Sequence, residues 1–333
     1  MNHQAILSAF DQISTFKILV IGDVILDAYY SGKVDRISPE APVSILDIQS
    51  KDYRLGGAAN VALNIQGLGA KPILCSVIGN DLSGKRILDL MNTADLDITG
   101  ISASASRVTS VKTRLISNNH QLMRMDEEQT NPIDSADESR LLTSILDLIK
   151  NESPNAIIFE DYDKGVINAT LIERVITTAR KAAIPVSVDP KKRNFLSYAG
   201  ATLFKPNLKE LRDGLNQQDL GTDAESLTNA FNFLCEIMPI ETAFFTLSGK
   251  GVFITNGSQS HAIPAQIRNI ADVSGAGDTV ISTATCALAA GLDMEEIAFI
   301  SNLAGGWVCQ FPGVVAINAQ SLKEEFTKNI GLK

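Results

Sequence analysis

Short β-branched apolar runs recur along this chain, each followed by a stretch of helical periodicity, and this rhythm restricts the possible folds more than any other feature. Lys17-Ile18-Leu19-Val20-Ile21-Gly22 is the first run, continuous rather than alternating, as a strand covered on both faces requires. A helix opened by Leu55-Gly56-Gly57-Ala58-Ala59-Asn60 continues to about Leu68, with Val61, Ile65 and Leu68 on one side. Residues 72–79 read as a second strand and 83–93 as a second helix; a polar stretch, 131–140, precedes a helix to Ile149. Strands are expected again at 156–159, 184–188, 202–204, 241–247 and 252–255. The alternation predicts an α/β fold: a doubly wound, mostly parallel sheet flanked by helices.

Two stretches break the rhythm. Residues 108–126 read as a hairpin closed by the polar turn Asn118-Asn119-His120; with Asn119 central, Arg114 faces Arg124 and Lys112 faces Asp126. Like charges opposed across two strands destabilise the pairing, so the two arginines either hold an anion between them or splay to solvent. Residues 36–42 hold too many prolines for a helix, and 43–48 alternate as a strand with one exposed face. The expectation is one domain over 1–333, with lid segments near 28–54 and 106–127 inserted as a small β-sheet.

The chemistry centres on Asp272-Val273-Ser274-Gly275-Ala276-Gly277-Asp278-Thr279, which runs into an apolar, Ala-rich helix, 280–292. A Gly-Ala-Gly turn at a helix start lets backbone N–H groups converge on an anion without side-chain obstruction. An aspartate there fits a base that takes a hydroxyl proton while the amides hold charge on a transferred phosphoryl group. The plainer alternative is a first-turn carboxylate favoured by the helix dipole. Asp23 and Asp27 follow the first strand, where ligands bind in open α/β sheets. Glu160-Asp161-Tyr162-Asp163-Lys164-Gly165 and Asp189-Pro190-Lys191-Lys192-Arg193 also close strands with polar clusters. Asn207-x-x-Glu210 reads either as a capping box or as a pair ordering Mg²⁺-bound water and phosphate. Ser248-Gly249-Lys250-Gly251 suits a nucleotide border or a plain hairpin turn. Neither G-x-x-x-x-G-K-[ST] nor G-x-G-x-x-G after the first strand is present, which disfavours Walker-type NTPases and dinucleotide dehydrogenases.

A net charge of −9 argues against nucleic acid or an anionic membrane surface as partner. The four cysteines, Cys75, Cys235, Cys286 and Cys309, are dispersed without metal-ligand spacing, which fits a reduced, cytoplasmic protein. Residues 1–16 lack the basic start and apolar run of a signal peptide, and the uncharged stretch 297–322 is broken by Gly305-Gly306, Gln310, Pro312-Gly313 and Asn318.

The order of Gly22-Asp23…Asp27, Gly56-Gly57…Asn60, Asn207-x-x-Glu210, Thr246-x-Ser248-Gly249-x-Gly251 and Asp272-x-x-Gly275-Ala276-Gly277-Asp278-Thr279 resembles the ribokinase-like (PfkB) sugar kinase family over nearly the whole chain. Residues 36–43, 56–62, 112–126, 161–165 and 189–191 are similar to the kinase part of heptose kinase/adenylyltransferases. The resemblance implies ATP-dependent phosphorylation of the anomeric hydroxyl of D-glycero-β-D-manno-heptose 7-phosphate, for lipopolysaccharide heptose supply. It implies Asp278 as base and Gly275, Ala276 and Gly277 as anion hole; Asp27, Gly57 and Asn60 as sugar contacts, joined by Asp161, Arg114 and Arg124. Asn207, Thr246, Ser248, Gly249, Gly251 and Asn302 would border ATP, with Asn207 and Glu210 toward Mg²⁺ through water. It further implies a monovalent cation (K⁺) near the Asp272 loop. Separately, the open edges of the small lid sheet need covering, and a homodimer formed through the lid is one way to do it. Ser274 stands where the family motif has Thr, and Ala28 where the bifunctional enzymes have Arg. No nucleotidyltransferase segment follows, so activation to the ADP-sugar is expected of another protein. A kinase of another sugar phosphate, or a silent sugar-binding regulator, are the competing readings.

Overall fold

The computed structural model describes residues 1–118, 120–266 and 268–331. In chain order the elements are α1 (His3–Ile13), β1 (Lys17–Gly22), β2 (Val24–Ile37), β3 (Ser44–Gly57), α2 (Ala58–Gly67), β4 (Lys71–Gly79), α3 (Leu82–Thr93), β5 (Ile101–Ser104), β6 (Ser110–Ser117) and β7 (His120–Glu127). There follow α4 (Ser135–Glu152), β8 (Ala156–Glu160), α5 (Ala169–Lys181), β9 (Val186–Asp189), β10 (Leu203–Phe204), α6 (Leu208–Leu215) and α7 (Ala224–Ile237). The last are β11 (Thr242–Thr246), β12 (Val252–Thr255), β13 (Ser260–Ile263), α8 (Ala276–Ala289), α9 (Met294–Val308) and α10 (Ala319–Asn329).

Among the described residues the main sheet has nine strands in the order β13-β12-β11-β10-β9-β8-β1-β4-β5, all running the same way except β12, which is antiparallel to both its neighbours. The continuous apolar runs divide by pleat between two cores. Ile18 and Val20 join α1, α2, α8 and α9 on one face, while Leu19 and Ile21 join α4, α5 and α7 on the other. From β1 the chain proceeds outward through β4 and β5, then returns to β8 on the other side of β1. The strand order therefore reverses between β1 and β8, and the crevice beyond their carboxyl ends is where an open sheet of this kind takes a ligand.

The small sheet, order β3-β2-β6-β7, joins two antiparallel hairpins by a parallel β2–β6 pair. Arg114 opposes Arg124 and Lys112 opposes Asp126, as the hairpin reading expects. Nearer the turn a bulge between Leu115 and Ile116 shifts the register, so Ser117 pairs with His120 and the three-residue turn is tightened; Asn119 lies outside the described residues.

Several boundaries differ from the sequence reading. Gly56-Gly57 ends strand β3 rather than opening a helix. Helix α4 begins at Ser135, capped by Asp134, because its polar first turns lie toward solvent. Residues 3–13 form an amphipathic helix burying Ile6, Ala9, Phe10 and Ile13. No helix among the described residues is long and apolar enough to cross a membrane.

Candidate active site

Gly275 caps α8 with φ of 80°, and a Cβ there would meet Asn60 Nδ2 at 3.0 Å, so glycine is what allows the helix to start against α2. Ala276 N–H already donates to Val273 O at 3.2 Å, whereas Gly277 and Asp278 occupy first-turn positions whose N–H groups have no intrahelical acceptor. The Asp272 carboxylate fixes the preceding loop, accepting from Ser274 N at 2.9 Å and Gly313 N at 3.0 Å. These bonds outweigh burial and hold its carboxyl below the usual range.

Asp278 is 5% exposed. Its Oδ2 accepts from Asn60 Nδ2 at 2.7 Å and its Oδ1 from the Tyr162 hydroxyl at 2.8 Å. Burial pushes its pKa up to about 6, against the pull of these two donors and of Lys205; the Asp189 charge adds to the rise. One carboxylate oxygen each from Glu160, Asp189 and Asp278 lie within 4.8 Å of one another. Glu160, at the end of β8, is fully buried, and neither of its oxygens has a hydrogen-bond partner among the described residues. Burial, then Asp189 and Asp278, raise its pKa well above its ordinary value. The cluster contains one wholly buried cation: Lys205 Nζ lies 2.7 Å from Asp189 Oδ2. Burial alone would lower its pKa, but Asp189, Glu160 and Glu210 outweigh burial and hold it charged.

From this cluster polar contacts lead both ways. Lys191 Nζ reaches Asp189 Oδ1 at 3.8 Å and Glu210 Oε1 at 2.5 Å. Glu210 and Asn207 form a full capping box on α6, and Asn207 bridges to Thr246 at the end of β11. Gly251 packs on Ile263 O and the Pro264–Ala265 backbone, and Asn302 donates to Pro264 O at 2.9 Å. Ser248 and Gly249 lie exposed in the turn between, with open space around Gly249. Thus Asn207 meets Thr246, and Gly251 meets the same 263–265 strand end as Asn302.

In the other direction, Lys112 Nζ of the small sheet lies over the Tyr162 ring, 4.9 Å from its centroid, and Lys191 Nζ lies over it at 5.3 Å. Cross-strand register puts Asp27, Tyr29, Arg54, Lys112, Arg114 and Arg124 on one face of the small sheet, the face that Lys112 turns toward Tyr162. Asp27 pairs with Arg114 at 2.5 Å. A Cβ on Gly56 would lie 2.1 Å from Asp27 Oδ2, so that glycine makes room for the carboxylate.

Three expectations change. The opposed arginines need no anion to coexist: Arg114 takes Asp27, and Arg124 takes both oxygens of Asp126 at 2.9 Å. Asp161 does not face the crevice; its buried carboxylate accepts from Asn194 at 2.9 Å, Tyr198 at 2.8 Å and Asp163 N at 2.8 Å, so it braces the loop. Asp23 is a brace too, accepting the N–H groups of Tyr162, Lys164 and Val166 at 2.9, 3.1 and 3.1 Å. Tyr162, Glu160 and Lys205 were not singled out from sequence; the one available signal was that Glu160 and Tyr162 lie in the polar cluster closing a buried strand.

A helix N-terminus able to seat a phosphoryl group, with a buried carboxylate on the crevice side of it, belongs to a phosphotransferase that acts on a sugar hydroxyl. A model described as pfkB family carbohydrate kinase matches residues 15–320, and the chain belongs to that family. The bifunctional protein HldE of Methylobacillus flagellatus is 39% identical over 308 residues, covering 92% of this chain and 62% of that protein. The HldE of Geotalea uraniireducens is 39% identical over 310 residues, with the same 92% and 62% shares. The chain thus spans less than two thirds of these relatives. The fold is ribokinase-like. Arabidopsis thaliana ribokinase complexed with ribose and ATP superimposes with a TM-score of 0.73 at 16% identity, over 94% of this chain and 99% of that one. Escherichia coli phosphofructokinase-2 in complex with potassium gives 0.77 at 17%, with the same coverage of 94% and 99%.

Proposed function

We propose that this protein phosphorylates O1 of D-glycero-β-D-manno-heptose 7-phosphate with ATP, giving the 1,7-bisphosphate. The observation that carries the reading is the row of polar groups from the Asn207–Glu210 box through Lys191 to Asp189, which holds Lys205 and has a carboxylate oxygen within 4.8 Å of one on Asp278, and from Asp278 through Tyr162 to the lid. It supplies a nucleotide side, a base and an acceptor side in that order, and the relatives at 39% identity are named bifunctional protein HldE. Asp278 takes the hydroxyl proton as the sugar oxygen attacks the γ-phosphorus and ADP departs. The N–H groups of Gly277 and Asp278, with Lys205 beside them, meet the charge on the moving group.

Thr246, Ser248, Gly249, Gly251 and Asn302 would border ATP. Asn207 and Glu210 fit a hard cation held through water: the capping box and Lys191 each take one bond per oxygen, leaving lone pairs for ordered water. Mg²⁺ bound with the nucleotide would neutralise phosphate charge. The anionic Asp272 loop suits a monovalent cation such as K⁺. A cytoplasmic setting fits the use of ATP.

On the acceptor side, Asp27, Gly57 and Asn60 would contact the sugar and Arg114 its phosphate. Arg114 gives Asp27 one of five guanidinium donors, and the rest remain for a ligand. Charge-assisted bonds contribute roughly 1.5–3 kcal/mol each. Arg114→Ala is therefore expected to raise KM for the phosphorylated sugar by about ten- to a hundredfold and leave KM for ATP nearly unchanged. The decisive assay is a panel of sugars with and without a terminal phosphate. Equal loss on phosphorylated and unphosphorylated sugars would make Arg114 a structural part of the lid, and turnover of another sugar in preference would move the substrate assignment.

The lid leaves two open strand edges, β3 and β7, and exposes Leu122, Met123 and Met125 at 52%, 58% and 46%. Pairing with a second copy would cover them. Light scattering at micromolar concentration should give a dimer mass; a monomer would remove the lid contact from this reading.

A further inference from the structure

Tyr162 is placed as few side chains are. Its backbone N–H is held by the buried Asp23 carboxylate, its ring carries a lysine of the lid and a lysine of the body over it, and its hydroxyl ends on the base. We propose that Tyr162 is a positioning residue for Asp278: its hydroxyl orients the carboxylate and keeps it ionised for proton abstraction, and the grip of Lys112 makes that bond depend on the lid.

The surroundings of Asp278 show why such a donor is needed. On the β8 side stands Glu160, on the β9 side Asp189, and neither donates to Asp278; Lys205 is bonded to Asp189. Asn60, from α2, serves only Oδ2. Oδ1 therefore has Tyr162 as its hydrogen-bond donor among the described residues. Each of these two oxygens can accept a second bond, so the tyrosine leaves room for a substrate hydroxyl to approach the base. Tyr162 cannot take the proton in place of Asp278, because burial and then the Asp278 and Glu160 charges hold its hydroxyl far above the ordinary tyrosine range. Lys191, the other lysine over the ring, is itself fixed by Glu210 and Asp189. Lys112 makes no ion pair within 4 Å among the described residues, and it is the one contact of the ring that belongs to the lid. A substrate that drew Lys112 away or toward itself would act on the ring directly.

The inference rests on Asp278 being the base, and the test separates the two. The measurement is the pH profile of kcat/KM with MgATP and D-glycero-β-D-manno-heptose 7-phosphate. Tyr162→Phe is expected to move the acid limb upward by about one pH unit, costing about tenfold below the limb and recovering to within a few-fold on the alkaline plateau. Lys112→Met, which keeps the hydroxyl, should move the limb the same way by less. A Tyr162→Phe profile lowered equally at all pH values, with the limb in place, would overturn the proposal, and an unmoved limb in Lys112→Met alone would overturn its link to the lid. A second readout needs no turnover. The stability difference between the wild type and Asp278→Asn, followed from pH 4 to 8, reports titration of Asp278, and in the Tyr162→Phe background its midpoint should move upward. An unmoved midpoint overturns the proposal even if the phenylalanine variant is too unstable for kinetics. Full activity of Asp278→Asn would instead sink the underlying reading.

Discussion

Replacing Asp278 by asparagine is expected to lower turnover by about 10²–10⁴ while leaving ATP affinity within a few-fold, the usual effect of removing a positioned general base. The same change should stabilise the fold at neutral pH. In the unfolded chain the aspartate titrates near 3.8, and in the folded protein burial pushes it up to about 6. A raised carboxyl pKa means that folding favours the protonated form. The wild type therefore carries no penalty below about pH 4, loses stability as pH rises through 6, and stays penalised above it. Two pH units correspond to roughly 3 kcal/mol, an upper value here because asparagine matches its two donors less well. Denaturation midpoints across pH 4–8 check this, and a variant less stable than wild type at every pH would contradict it. A base that weakens its own fold is a common feature of catalytic sites.

The second large effect is expected at Asp23, outside the chemistry. Its carboxylate is 1% exposed and receives three backbone N–H groups from the loop after β8. Asp23→Ala would leave those donors without their acceptor. At about 1–3 kcal/mol for each buried unsatisfied group, less whatever water recovers, the loss should be roughly 3–5 kcal/mol. That is a large part of the about 5–15 kcal/mol that holds a domain together. Urea denaturation measures it, and a loss under about 1 kcal/mol would show that the loop keeps its shape by other means.

These two aspartates also mark what a sequence reveals. Seven of the nine strands of the main sheet were legible because buried strands are continuous apolar runs, whereas the short edge strands β5 and β13 carry no such run. The hairpin register was legible down to the Arg114–Arg124 opposition. What was hidden is the destination of polar side chains in loops without period. In Glu160-Asp161-Tyr162-Asp163-Lys164-Gly165, no spacing rule says that Asp161 turns into the core while Tyr162 turns to the base. Asp23 and Asp27 looked alike at the end of one strand, yet one braces a loop and the other meets an arginine on the neighbouring strand of the small sheet. Helix α4 was begun too late for a related reason: its first turns point outward, so no apolar stripe announces them.

The way the lid joins the body has a mechanical side. Only Asp23 separates β1 from β2, and β3 passes directly into α2 at Gly57, whose φ is 58° and whose neighbour Ala58 donates its N–H to Asp23 O at 3.0 Å. The long hairpin thus has no slack at its root, and further out it is held by β6 and by Arg54, which donates to the carbonyls of Pro312 and Val314. Asp23, at that root, is also the anchor of the loop that carries Tyr162. One residue therefore joins the base of the hairpin to the tyrosine beside Asp278, so a strain at the root and the pose of that tyrosine are coupled through a single carboxylate and its own peptide.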